Sequence, residues 1–167
     1  MGVCKLNHVR SGTFASAGFP GDTTPRSEVC AVSHGNSEVI TVGNPASIVV
    51  PADVGSVKTA RDWVGEMLGT WGRDAYVAKV VVSELVTNVV RHTDSETATV
   101  RLLLADRGIV VEVIDGCDAM PEARDVGVLS EDGRGLAMLG ALVKDWGAQP
   151  VAGGGKVVWA LLPEEDG

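Results

Sequence analysis

The stretch Val81-Val82-Ser83-Glu84-Leu85-Val86-Thr87-Asn88-Val89-Val90-Arg91-His92 decides the fold. Glu84, Asn88 and His92 recur at intervals of four, and on a helix that spacing stacks them along one stripe. The valine run Val80-Val81-Val82 alone would suit a strand. The length of the segment and the four-residue recurrence predict a helix instead, from about Asp74 to Arg91. A helix that otherwise buries valines and leucines has little reason to carry a carboxylate, an amide and an imidazole in one row unless that row lines something. A carboxylate can take a proton, and an amide oxygen can hold a hard cation such as magnesium.

Working outward, Ser47-Ile48-Val49-Val50 reads as a short strand closed by Pro51. Asp53 reads as the cap of a helix of about 17 residues, with Val57, Ala60, Arg61, Val64, Met67 and Leu68 at helical spacing. Gly69 and Gly72 break it. After the polar-striped helix, residues 97–105 and 109–115 read as strands joined by the tight turn Asp106-Arg107-Gly108. The second strand ends on Asp115-Gly116. A polar loop leads to Gly133-Arg134-Gly135-Leu136, which opens an apolar helix over residues 135–144. Residues 146–151 and 156–162 form a closing hairpin around Gly153-Gly154-Gly155. The sum is an α/β (α+β) two-layer sandwich, a mixed and mostly antiparallel sheet with helices on one face.

Residues 1–45 are rich in Gly, Ser, Thr, Asn and Pro without sustained periodicity, and read as a disordered tail. The alternative is an extended arm that docks on the domain or on a second subunit. Residues 46–163 form the domain and 164–167 a short C-terminal tail.

Composition limits the function classes. Hydrophobic residues make up 45% and aromatics only 4%, so the core is built from Val, Leu and Ala. A net charge of −8, all of it from residues 46–167, excludes a nucleic-acid surface of clustered Lys and Arg. Cys4, Cys30 and Cys117 are odd in number and lack CxxC spacing, which suits a reducing cytoplasm rather than a disulfide framework or a zinc site. No apolar run approaches membrane-spanning length, and no signal-peptide core opens the chain. A GxxxxGK[ST] phosphate loop is absent.

Three blocks, Glu84 to His92, Val110 to Gly116 and Gly133 to Leu139, resemble in order the N, G1 and G2 boxes of the GHKL (histidine-kinase-like) ATPase superfamily. Within it they most resemble the anti-sigma-factor serine/threonine kinases of bacterial partner-switching systems. The resemblance runs from about Ser47 to Leu162 and implies a Bergerat-type ATP-binding fold. It implies ATP and Mg2+ as cofactors, with a sigma factor or an anti-anti-sigma protein as partner. A homodimer is also implied, since many relatives of this compact type dimerise.

The resemblance also implies roles, each of which has a plainer alternative. Glu84 would be the general base; the alternative is an exposed Glu paired with Arg91 or a lysine. Asn88 would be the magnesium ligand; the alternative is a buried amide capping a neighbouring strand. His92 would contact phosphate or lid, or else serve the helix dipole. Asp115 would accept from the adenine amino group, with Gly116 letting the backbone pass close to the base; the alternative is a turn residue at a strand end. Gly133, Arg134, Gly135 and Leu136 would approach phosphate oxygens. The chain departs from the family's Asp-x-Gly-x-Gly pattern, reading Asp115-Gly116-Cys117-Asp118, and its lid segment 118–132 is acidic. The alternative function is an ATP-binding regulatory module that binds a protein without kinase activity. A histidine-kinase catalytic domain would need a dimerisation helix bearing a phospho-accepting His, and residues 1–45 show no such helix.

Overall fold

The computed structural model describes residues 29–34, 37–42, 45–120 and 139–163. Local chemistry sets the two long helices. In α1 (Val54–Thr70), Asp53 stands in extended backbone and its carboxylate accepts from the Ser56 amide at 2.8 Å and the Ser56 hydroxyl at 3.0 Å. Gly72, at φ 67°, takes the left-handed conformation that closes the helix, and the Arg73 amide returns to the Leu68 carbonyl at 2.9 Å. The Asp74 carboxylate then accepts from the Tyr76 amide at 2.9 Å as α2 (Tyr76–His92) begins.

The valine-rich α2 is a helix because its apolar residues form one face. Ala78, Val81, Val82, Leu85, Val86 and Val89 are all buried, and they pack with Ala60, Val64 and Leu68 of α1. Arg61, expected among the helical-spacing residues of α1, is exposed. The core face of α1 is narrower than the sequence pattern suggests.

Seven strands form one sheet among the described residues. They are β1 (Val29–His34), β2 (Ser37–Val42), β3 (Ala46–Pro51), β4 (Thr97–Ala105), β5 (Gly108–Asp115), β6 (Asp145–Pro150) and β7 (Lys156–Leu161). The order is β1-β2-β4-β5-β7-β6, and β3 also pairs with β4. β3 lies along residues 97–102 of β4, and β2 meets the same strand at Ala105. Every pairing is antiparallel, so the mixed sheet expected from sequence contains no parallel pair among the described residues. Within the stretch expected to be a tail, residues 29–42 form the β1–β2 hairpin. Its strands are separated by Gly35-Asn36, a dipeptide favoured at hairpin turns. Residues 1–28 and 164–167 lie outside the described residues. So does most of the third helix; residues 139–142 are helical, with Leu139 buried in the core.

Period-two alternation gives the sheet two faces. Ala98, Val100 and Leu102 of β4, Val111 and Val113 of β5, and Val158 and Ala160 of β7 join the helices in the main core. Leu103, Val110, Trp159 and Leu161 form a separate apolar cluster on the opposite face. The same alternation carries Asp115 and Lys156 onto the helix-facing side, at the end of the sheet.

Candidate nucleotide site

The polar stripe of α2 runs along the boundary of its buried face. Ser83, Glu84, Thr87 and Asn88 are half-buried, while Arg91 and His92 in the last turn are exposed. Glu84 and Asn88 make no side-chain hydrogen bond or ion pair among the described residues. Exposed basic residues in the last turn also suit the negative end of the helix dipole.

A chain of hydrogen bonds ties the end of this helix to the tip of β5. The Thr93 hydroxyl donates to the Val89 carbonyl at 2.8 Å, and the Ser95 amide donates to the Thr93 hydroxyl oxygen at 3.3 Å. The Gly116 amide in turn donates to the Ser95 hydroxyl oxygen at 2.7 Å. The residues that follow Asn88 and His92 thus reach the backbone that follows Asp115. At 1.5 Å of rise per residue, Glu84 stands about 12 Å back along the helix axis from His92.

Asp115 is buried, only 4% exposed, and it is not alone. The register of β5 with β7 sets Lys156, 6% exposed, directly opposite. The Lys156 ammonium donates to Asp115 Oδ1 at 3.0 Å and to the Cys117 carbonyl at 3.1 Å, and the Cys117 amide donates to the same Oδ1 at 2.8 Å. The turn before Lys156 is held as well, since the Gly155 amide donates to Asp118 Oδ1 at 2.6 Å. Gly155 sits at φ 82°, and a Cβ there would run into the Asp115 carbonyl. Only glycine allows this close approach of two backbones.

The sequence reading missed Lys156, Ser95 and Asp118. It placed Gly153-Gly154-Gly155 at the turn of the closing hairpin, and the lysine that follows meets the strand-tip carboxylate. Gly133, Arg134, Gly135 and Leu136, and most of the acidic lid, lie outside the described residues. A cleft of about 360 Å³ lies elsewhere, lined by Arg73, Asp74, Val77, Asp106 and Ile109 at the opposite end of α2. It contains none of the stripe residues.

For a cation the donor set is small. No three His, Cys, Asp or Glu residues gather among the described residues. Magnesium is commonly bound by one or two protein oxygens together with phosphates and waters, and the Asn88 amide fits such a role.

The family model of the histidine kinase-like ATPase domain matches residues 50–161. The chain belongs to this family. That range takes in α2, the β5 tip and Lys156, so the whole site falls within a domain type named for ATP. No curated protein matches the chain. The crystal structure of the RsbU and RsbW domains of Rv1364c from Mycobacterium tuberculosis is similar in fold, with a TM-score of 0.51 and 24% identity. The match covers 75% of this chain and 35% of that one, so the chain spans about a third of its structural neighbour's length. Among the described residues no helix is long and apolar enough to cross a membrane.

Proposed function

We propose that this member of the histidine kinase-like ATPase family is an anti-sigma-factor-like regulator that binds ATP and phosphorylates a serine or threonine of an anti-anti-sigma partner. The observation that carries the reading is the stripe of α2. A half-buried carboxylate and a half-buried amide, one turn apart and without partners among the described residues, stand on a helix tied to the strand tip that bears Asp115. The RsbW domain of the structural neighbour supports the partner-switching type in fold.

In this reading Glu84 takes the proton of the acceptor hydroxyl as its oxygen attacks the γ-phosphorus, the bond from that phosphorus to the β,γ-bridging oxygen breaks, and ADP leaves. Phosphoryl transfer asks mainly for positioning and charge stabilisation, so one well-held carboxylate suffices. Asn88 would hold magnesium through its side-chain oxygen, and the ion would supply positive charge against the phosphate oxygens. His92 and Arg91 stand ready for phosphate or lid, and Asp115 with Gly116 borders the base. Gly133, Arg134, Gly135 and Leu136, the block that resembles the G2 box, are the residues proposed to meet the phosphates. The chain acts in the cytoplasm on a sigma factor or its antagonist, as a homodimer, without nucleic-acid contact.

A second reading is favoured by one observation: Asp115 is already engaged by Lys156. ATP would then only set the shape of a protein-binding surface, with no transfer. Incubation with radiolabelled ATP and a cognate acceptor separates the two. The kinase reading expects label on the acceptor, and expects Glu84→Ala to lower transfer by about 10²–10⁴-fold with ATP affinity nearly intact. Unlabelled acceptor together with firm ATP binding supports the regulatory module instead.

A further inference from the structure

We propose that Lys156 takes the base out of recognition in this chain. Its ammonium occupies the carboxylate that would otherwise read a purine, so the nucleotide is held through its phosphates and magnesium. The inference rests on the nucleotide-binding reading and names which end of the nucleotide that site recognises.

The tip of β5 is closed before any ligand arrives. The Asp115 side chain is 1% exposed and that of Lys156 is 7% exposed. Oδ1 of Asp115 accepts from Lys156 Nζ at 3.0 Å and from the Cys117 amide at 2.8 Å. The same ammonium donates to the Cys117 carbonyl at 3.1 Å, so it ties the carboxylate to the loop that follows it. The turn before Lys156 packs against this tip as well. The Gly155 amide donates to Asp118 Oδ1 at 2.6 Å, and a Cβ on Gly155 would lie 3.0 Å from the Gly116 Cα. The cleft of about 360 Å³ at the far end of α2 contains neither Asp115 nor Lys156.

A base has little to offer against this closure. The amino group of adenine brings one neutral donor. To reach Asp115 it would have to part the carboxylate from the ammonium and leave a buried charge without its partner. A neutral donor gives less than that separation costs. The stripe of α2 is in a different state, since Glu84 and Asn88 are half-buried and make no side-chain hydrogen bond among the described residues. The tip of β5 still supports that stripe, because the Gly116 amide donates to the Ser95 hydroxyl oxygen beyond the end of α2 at 2.7 Å. The strand tip thus braces the phosphate end of the site without reading the base.

The test is equilibrium titration of the full chain with magnesium and ATP, GTP or inorganic tripolyphosphate, which keeps the phosphate chain and has neither base nor sugar. Wild-type affinities for the three are expected within about tenfold of one another. Lys156→Ala removes both the ammonium and its stem from beside Asp115. It is expected to raise the affinity for ATP relative to tripolyphosphate at least about tenfold, the size of one charge-assisted hydrogen bond regained. The affinity for GTP relative to tripolyphosphate is expected to stay unchanged, because guanine turns its O6 carbonyl to the carboxylate. Taking ratios cancels the lost positive charge, which acts on all three ligands. If the variant does not fold, the wild-type series decides alone: a preference for ATP over tripolyphosphate beyond about tenfold overturns the inference, while the nucleotide-binding reading stands. Ratios left unchanged by Lys156→Ala, or raised equally for ATP and GTP, also overturn it and make the ion pair purely structural. A wild-type chain that binds none of the three overturns both.

Discussion

Strand β5 carries two buried carboxylates, Glu112 and Asp115, on opposite faces of the sheet. Each has a cation directly across in register: Arg101 on β4 faces Glu112, and Lys156 on β7 faces Asp115. The distances are alike, 3.3 Å and 3.0 Å. Their surroundings are not. Arg101 keeps a third of its side chain in solvent, whereas that of Lys156 is 7% exposed. Glu112 lies mid-strand on the face away from the helices, among Leu103, Val110 and Trp159. Asp115 ends the strand on the helix-facing side, where its loop is tied to the end of α2. The first pair makes a buried acid tolerable inside a sheet. The second stands at the edge of the core, beside the loop that is tied to the end of α2.

The largest expected difference comes from removing each acid. Asp115→Ala strands a buried lysine and should cost about 3–5 kcal/mol of unfolding free energy. Glu112→Ala leaves an arginine that can turn to water and should cost about 1–2 kcal/mol. Urea unfolding measures both, and equal costs would dissolve the contrast.

A smaller effect sharpens it. Gly155→Ala forces a Cβ against the Asp115 carbonyl at a positive φ, and should cost about 3 kcal/mol and weaken nucleotide binding. Gly154→Ala also stands at positive φ, but its nearest neighbour is the Asp118 side chain at 3.8 Å. It should cost about 1 kcal/mol and leave nucleotide affinity unchanged. Thermal unfolding and nucleotide titration of the two variants check this, and a matched loss of affinity would mean that the tip of β5 is not held by this turn.

What could be read from sequence was local. The Asp53 cap, the buried face of α2 and the Asp106-Arg107-Gly108 turn each depend on residues within a few positions of one another, and each has its signature in the chain. The β1–β2 hairpin had a signal too, Gly35-Asn36 between apolar alternations, but the small polar residues around it masked the pattern. Lys156 had none. Its partner is 41 residues away and is chosen by the register of β5 with β7, which no local spacing encodes. Ser95 was hidden in the same way, 21 residues from the Gly116 amide it accepts from. The polar stripe of one helix was therefore legible in the sequence, and the ion pair composed by two strands was not.

The most direct test of the account is calorimetric titration of the full chain with ATP, with and without magnesium, for wild type and Asn88→Ala. The account predicts that wild type binds, that magnesium tightens binding, and that Asn88→Ala loses at least about tenfold of affinity only when magnesium is present. No heat of binding at millimolar ATP, or an Asn88→Ala variant that responds to magnesium as wild type does, would contradict it.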